Sequence, residues 1–458
     1  VKPQHTCVAL IAAACLGQAA TAAVSEDEAR QLGGARLTAF GSEKGANKDG
    51  AIPPYSGKAP AAPADYDRKT PGQRPDPYND KPLFTITAQN AAQYSDKLDG
   101  MLEVFKAYPD FRMDVYPSRR DWVYPQQVLD NTVKNARSCK ATKGEQKLEG
   151  CSGGFPFPIP KTGYEVMWNH LIQYQAPAYM VQVTGYLTPS NGVAVLQTRT
   201  EALQQYDYYD PGCTTPHAPD VVYWKVLQTN TAPARKVGEK VLILDSLDMV
   251  DIGRRVYQYI PGQRRVKLAP NLAYDTPSPN TGGASTMDDI KGFGGAMDRY
   301  DFKLVGKKEK FIMYNNFALN NAKTCADDKV VNNKNFPHPD CVRWELHRVW
   351  QVDAALKPGM RHIYAKRVFF WDEDAPGAGS AEGYDAAGKL YRILNQAAVP
   401  FYEHESGGVS DASYGLDLQT GAWYVQGSAS VAGGGYFPVE RKNERFFSPE
   451  SLASDGIR

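Results

Sequence analysis

Three groups of carboxylates are the residues best placed for acid–base chemistry: Asp288-Asp289, Asp298 with Asp301, and Asp372-Glu373-Asp374. Two carboxyl groups facing each other across a cleft can serve as general acid and base, as in glycoside hydrolysis, so an exported hydrolase is one reading. Each group also has a plain structural role. Asp288 and Asp289 follow Ser285-Thr286 at an expected helix start, where carboxylates suit the positive end of the dipole. Asp372-Glu373-Asp374 closes a strand ahead of Pro376 and Gly379, which is surface-loop composition, and it doubles as a candidate calcium site. The sequence holds no Gly-x-Ser-x-Gly elbow, phosphate loop or His-Glu-x-x-His motif. His170, His217, His338, His347, His362 and His404 are dispersed, and only His347 and His362 fall on strands that can be neighbours. Without a Cys-x-x-Cys or His-x-x-x-His spacing, no zinc site is expected. The reading names no catalytic residue, metal or cofactor.

Cysteine use points to an oxidising compartment. Residues 1–23 read as an export leader: Lys2 lies ahead of a short apolar run from Cys7 to Ala14, and Ala20-Thr21-Ala22-Ala23 offers small residues for cleavage. The run is shorter than the roughly 20 residues a membrane span needs. Past the leader, Cys139 and Cys151, and Cys325 and Cys341, sit as close pairs in polar, turn-rich stretches and are expected to form two disulfides. Cys213 is left over as a free thiol. Basic and acidic side chains number 52 and 51, so nothing favours nucleic acid.

The elements that must position these residues are mostly strands. Residues 24–82 are rich in Ala, Gly and Pro and read as an extended arm. Tyr94, Leu98, Leu102 and Phe105 predict a helix within 87–106, a second runs from Pro125 to Ala136, and a short one from Met287 to Phe293. From about residue 179 onward, β-branched and aromatic residues alternate between recurring turns. Tyr179–Leu187 with Val193–Thr200, and Val221–Thr229 with Lys240–Leu247, predict hairpins. Arg254–Ile260 and Arg264–Leu268 are joined by a type II turn at Pro261-Gly262, and Arg299–Val305 and Glu309–Tyr314 by one at Gly306-Lys307. The longest strand runs from Cys341 to Ala354, with Val342, Trp344, Leu346, Trp350 and Val352 buried and a wetter face of Arg343, Glu345, His347, Gln351 and Asp353. Further strands are expected at 361–371, 389–394, 414–418 and 423–426. The expected fold is mainly β: a large curved antiparallel sheet over residues 83–435, covered by a few helices, with a C-terminal tail at 436–458.

Such a sheet has a use for its rings. The chain has 27 tyrosines and 7 tryptophans, and a sheet too wide to fill itself leaves a cavity that aromatic side chains can line. Trp168, Tyr257, Tyr259, Trp344 and Trp350 are the candidate ligand-binding residues.

Four stretches carry a family resemblance: Phe155-Pro156-Phe157-Pro158-Ile159-Pro160 leading to Met167-Trp168-Asn169-His170; Arg254 to Val266, through Tyr257, Tyr259 and Pro261-Gly262; Asp288-Asp289 through Arg299-Tyr300-Asp301 to Tyr314-Asn315-Asn316; and Lys366 to Asp374, with Tyr384-Asp385 and Gly388-Lys389-Leu390. In this order they resemble the bacterial exported family known as domain of unknown function 1329, similar in fold to periplasmic lipoprotein carriers and outer-membrane lipoprotein acceptors. The resemblance implies a half-barrel over an apolar cavity, in the periplasm of a Gram-negative cell, with outer-membrane association as a further expectation. It implies transport of a lipid or other hydrophobic cargo alongside an outer-membrane protein and an inner-membrane exporter of the resistance-nodulation-division class. A structural or assembly protein of the cell surface, using strand edges to pair with neighbours, is the third reading.

Overall fold

The computed structural model describes residues 24–454, except residues 71, 270, 271, 273, 403–406, 410, 411 and 431–433. The expected leader, His404 and the last four residues of the tail lie outside the described residues. In chain order the strands are β1 Phe84–Thr87, β2 Arg112–Val115, β3 Lys140–Thr142, β4 Lys147–Glu149, β5 Ala178–Thr188, β6 Val195–Gln205, β7 Val222–Ala232, β8 Lys240–Ser246, β9 Arg254–Ile260, β10 Arg265–Leu268, β11 Tyr300–Met313, β12 Trp344–Leu356, β13 Lys366–Asp372, β14 Gly379–Tyr384, β15 Leu390–Gln396, β16 Val399–Pro400, β17 Gly408–Val409, β18 Ser413–Asp417, β19 Trp423–Ser428 and β20 Gly435–Pro438. The helices are short: α1 Glu26–Ala29, α2 Ser95–Leu98, α3 Met101–Ala107, α4 Gln126–Ser138, α5 Gly163–Leu171, α6 Asp327–Val331 and α7 Pro449–Ser454.

Sixteen of the strands form one sheet that does not close. Its main path runs β11-β12-β13-β14-β15-β18-β19-β5-β6-β7-β8-β9-β10 through antiparallel neighbours. It is two meanders, joined where β19 pairs with the second half of β5 while β20 takes the first half of the same edge. Among the described residues the one parallel contact is Trp344 with Val115 of β2, so the sheet is mixed. On the wing β5–β9 both faces are apolar. Val181, Ala202, Val226, Ile243 and Val256 face inward, into a cluster shared with Val352, Ala354 and Phe369 of the opposite wing. Their neighbours Leu203, Leu242, Leu244 and Tyr259 face outward, under Phe447 and Leu452. Helix α5 packs on β11 and β12, and the arm lies on the body with Phe40 and Ile52 buried. Cys139–Cys151 and Cys325–Cys341 are disulfide-bonded.

Several local expectations are corrected by tertiary contacts. The helix expected within 87–106 is broken: α2 ends at Asp99, which has φ +50°. Its carboxylate accepts from Lys308 Nζ at 2.5 Å and Lys310 Nζ at 2.9 Å, and the next N–H, of Gly100, donates to Glu382 Oε1 at 2.8 Å. The hairpin expected at Gly306-Lys307 is instead one strand, β11, bulged between Leu304 and Gly306, because β12 is long enough to pair along its whole length. The Pro261-Gly262 corner is a 3-10 turn in which Arg264, φ +48°, takes the left-handed position assigned to glycine. The wetter face of β12 is buried in its first half: Arg343, Glu345 and His347 are less than a tenth exposed. Asp372-Glu373-Asp374 is likewise interior rather than surface loop.

The buried half of this β12 face and residues 372–374 form one layer of charge. Arg120, 2 % exposed, donates to Asp374 through Nε at 2.7 Å and Nη2 at 2.8 Å, and to Glu373 at 3.1 Å. Arg348 Nε donates to Glu373 at 2.6 Å, while its Nη2 holds the carbonyls of Glu43 and Gly45 in the arm at 2.9 and 3.0 Å. His347 lies beside Tyr314, ring centroids 3.9 Å apart, with Nε2 3.2 Å from Glu345 and Nδ1 3.1 Å from Asp372. Burial disfavours its charged form, yet Asp372 and Glu345 outweigh that and raise the imidazole to about 9. A folded-state value raised above 6.5 adds stability that is complete below pH 6.5 and disappears as pH climbs through 9. We therefore expect His347→Gln to remove about 3 kcal/mol of pH-dependent stability. In urea unfolding, the difference between the proteins should be largest near pH 6 and shrink toward pH 9.5; a difference independent of pH would refute a buried imidazolium.

Candidate functional site

Strand alternation on the wing β5–β9 sets one row of side chains against the segment that crosses its inner face. Val181 and Val183 of β5, Thr198, Thr200, Ala202 and Gln204 of β6, Trp224 and Val226 of β7, Val241 and Ile243 of β8 and Gln258 of β9 form the floor of a cavity of about 110 Å³. Leu272, Pro279, Asn280, Met287, Ile290 and Lys291 form its cover. The space exists because the floor is built partly of small residues. At Gly185 the chain comes closest to its cover: a Cβ there would lie 2.3 Å from the Asn280 carbonyl oxygen, so any side chain would lift the turn Pro279–Thr281 off the strand.

One end of the cavity is polar. Trp224 Nε1 donates to Gln204 Oε1 at 2.8 Å, and Tyr179 OH donates to the same oxygen at 3.0 Å. Lys291, at φ +58°, donates to Tyr206 OH and places its ammonium 4.4 Å from the Trp224 ring centroid. The rest of the floor mixes aliphatic side chains, Val181, Val183, Ala202, Val226, Val241 and Ile243, with the polar Thr198, Thr200 and Gln258. Its chemistry is burial of a small, mainly apolar guest, with the Lys291 ammonium, the Gln204 amide and the Trp224 indole at one end of the space.

The cover is fastened by the first of the carboxylate groups. Thr286 opens the 3-10 segment Met287–Gly292 with a capping box, its N–H donating to Asp289 Oδ2 at 3.0 Å. Arg367 of β13 donates to Asp288 Oδ2 at 3.0 Å, Asp289 Oδ1 at 2.9 Å and the Gly292 carbonyl at 3.1 Å. His362 Nε2 is 3.0 Å from Asp288 Oδ2, and Tyr364 OH donates to Asp289 Oδ2 at 3.0 Å. Burial opposes ionisation of Asp288, but Arg367 and His362 prevail and hold its carboxyl well below the usual range. The other two groups are also engaged: Asp298 accepts from Tyr274 OH at 2.8 Å, Asp301 lies 3.8 Å from Lys357 Nζ, and the 372–374 group holds Arg120 and Arg348. The buried, paired carboxylates of 288–289 and 372–374 act as fixed acceptors, a poor state for exchanging protons with a substrate, while Asp301 is exposed. His347 and His362 have separate partners, Asp372 and Asp288. No group of three or more possible metal ligands occurs among the described residues.

The family model described as Protein of unknown function (DUF1329) matches residues 85–453. The chain belongs to this family. Uncharacterized protein PA3922 of Pseudomonas aeruginosa is 36 % identical over 463 residues, covering 99 % of this chain and 98 % of the relative. Among solved structures, a domain from Vibrio parahaemolyticus provisionally named an outer membrane lipoprotein-sorting protein aligns with 12 % identity and a TM-score of 0.41, covering 63 % of this chain and 97 % of its own. A DUF1329 family protein from Desulfovibrio piger gives 12 % and 0.40 over the same shares. The LolA superfamily protein NE2245 from Nitrosomonas europaea gives 11 % and 0.36, over 64 % of this chain and 99 % of its own.

In this DUF1329 chain the five aromatic residues singled out from the sequence are not gathered at one place. Trp168 is fully buried in α5 with Nε1 donating to the Glu145 carbonyl at 2.8 Å. Tyr257 and Tyr259 point to the outer face of β9. Trp344 sits in a second core cluster with Met101, Phe111 and Met313, and Trp350 packs under the Lys307 ammonium, 4.7 Å from its ring centroid. None of the five lines the cavity floor; Trp224 does. The signal that could have found it is the alternation Trp224, Val226, Gln228 in a strand flanked by Ala202 and Ile243. Cys213 is unpaired, 3.7 Å from His217 Nδ1. If Arg367 is the fastening of the cover, Arg367→Met should destabilise the fold by about 3–5 kcal/mol by stranding two buried carboxylates. Limited proteolysis should then cut first within 272–292; unchanged stability and an unchanged digestion pattern would remove Arg367 from that role.

Proposed function

We propose that this protein is a carrier or chaperone of the bacterial envelope that takes up part of a hydrophobic molecule by reversible burial, without bond chemistry. The observation that carries this reading is the cavity of about 110 Å³ between the apolar inner face of β5–β9 and the segment 272–291. An engineered apolar cavity of about 150 Å³ admits benzene, so this space suits a ring or a short stretch of alkyl chain. A lipid acyl chain fits only if the cover moves outward. Two disulfides suit an oxidising compartment, which supports a periplasmic location. No helix among the described residues is long and apolar enough to cross a membrane. Such a carrier needs a donor and an acceptor. The family resemblance makes an outer-membrane protein and an inner-membrane resistance-nodulation-division exporter the partners to test.

Organic extracts of the purified protein, analysed by mass spectrometry, should contain one apolar compound at about one copy per chain. Val226→Phe, which pushes a ring into the cavity, should reduce the retained compound about tenfold, equivalent to ~1.4 kcal/mol, with the circular dichroism spectrum unchanged. Retention at the level of the unaltered protein would overturn the assignment of the cargo to this cavity.

A further inference from the structure

The opposite face of the same wing carries a second concavity. A groove of about 560 Å³ runs over the outer side of β5–β9, lined by Met180, Leu203, Leu227, Val237, Tyr259 and Phe446. That is the size of a ligand site for a small amphiphile, and its walls are mainly apolar, with Glu201, Thr229 and Lys240 among them. It ends at the tip of the wing, where the β7–β8 connection meets the β9–β10 turn: a Cβ on Gly238 would lie 3.1 Å from Pro261 Cγ, so the two loops touch.

The tip is strongly basic in a chain whose formal net charge is only +1. Residues 233–240 and 261–268 contain Arg235, Lys236, Lys240, Arg264, Arg265 and Lys267 against the single acid Glu239. Arg235, Arg264, Arg265 and Lys267 are exposed. Beside them stand two apolar side chains that the fold leaves in water, Val237 at 54 % and Leu268 at 58 % exposure. Protection of the edge strand β10 from pairing accounts for Arg265 and Lys267. It does not account for Arg235 and Arg264, which sit in loops, nor for the exposed valine and leucine. Cationic groups interleaved with exposed aliphatic ones are the composition that adsorbs to an anionic bilayer, the charges attracted to head groups and the side chains entering the acyl boundary.

We propose that this tip docks the protein on an anionic lipid bilayer, with the outer groove accommodating apolar chain drawn from it. The residues altered in the test below, Arg264, Arg265, Val237 and Leu268, do not line the inner cavity, so either proposal can fail without the other. The test is co-sedimentation with vesicles of phosphatidylcholine alone and of phosphatidylcholine mixed in equal parts with phosphatidylglycerol. The unaltered full chain should bind the mixed vesicles, bind the neutral ones at least about tenfold more weakly, and dissociate in about 0.5 M salt. Arg264→Gln with Arg265→Gln should reduce binding about tenfold or more, and Val237→Ser with Leu268→Ser should weaken it at constant charge. Both double variants should keep the extractable compound of the inner cavity, and Val226→Phe should bind vesicles normally. Absence of vesicle binding, equal binding to neutral vesicles, or full binding by both tip variants would overturn the proposal and leave the inner cavity untouched.

Discussion

A sheet that does not close must have one face covered by chain that is not in the sheet, and such chain brings backbone carbonyls and amides into the interior. Every other feature of this molecule follows from how those groups are satisfied. Three buried guanidinium groups do much of it. Arg120 and Arg348 hold carbonyls of the arm and are themselves held by Glu373 and Asp374. Arg367 holds the Gly292 carbonyl and is held by Asp288 and Asp289. Buried ion pairs of this kind contribute little net stability compared with an apolar core, because desolvation offsets attraction. Their consequence is geometric: removal of either partner is costly, so these groups fix the points at which the covering chain is attached.

The two wings solve the covering problem differently. Over β11–β13 the arm, the segment 117–124 and helix α5 press close, and the large rings of Phe40, Tyr124, Phe155 and Trp371 fill the space. Over β5–β9 the cover folds back on itself, with Pro277 bridged to Thr286, and rests on small residues, Gly185, Thr198, Thr200 and Ala202, its Asn280 turn lying against Gly185. Arg367 ties its Asp288-Asp289 part to β13, and at its turn Lys236 Nζ donates to the Pro279 carbonyl at 2.7 Å. Between these ties it spans the strands without filling the space, and that unfilled span is the cavity.

How much of this was legible in the sequence depended on the range of the interaction responsible. The strands of the wing and most of their turns were readable, because alternation and turn residues act within a few positions: β5 and β6 were expected as a hairpin about 188–192, and 189–194 connects them. The mainly β fold class and both disulfides were likewise readable. What was not readable was decided by partners far along the chain. Asp99 breaks a helix because lysines two hundred residues later hold its carboxylate. Glu345 and His347 look like solvent-facing positions of β12, and only the arrival of Asp372 and Arg343 makes burial tolerable for them. Helix α5, from which Met167, Trp168 and His170 were noted, is buried on nearly all sides, so it lacks the polar stripe that would have marked it as a helix.

The wing β5–β9 is also where the inward and outward residues are both apolar, as in the neighbours Met180 and Val181, Ala202 and Leu203, Val226 and Leu227, Leu242 and Ile243. A strand with water on one side does not need this; a strand buried on both faces does. Yet the outward row is covered only in part, by Phe446, Phe447 and α7, and the uncovered remainder is the groove. The same wall therefore has an enclosed apolar space on one side and an open one on the other, separated by a single layer of backbone. Passage between them through the wall would require breaking the strand ladder, whereas passage around it would require the 278–283 turn to leave both Lys236 and the strand at Gly185. The tip of the wing is thus the place where a guest on the outer side would reach the inner one at least disruption of the sheet.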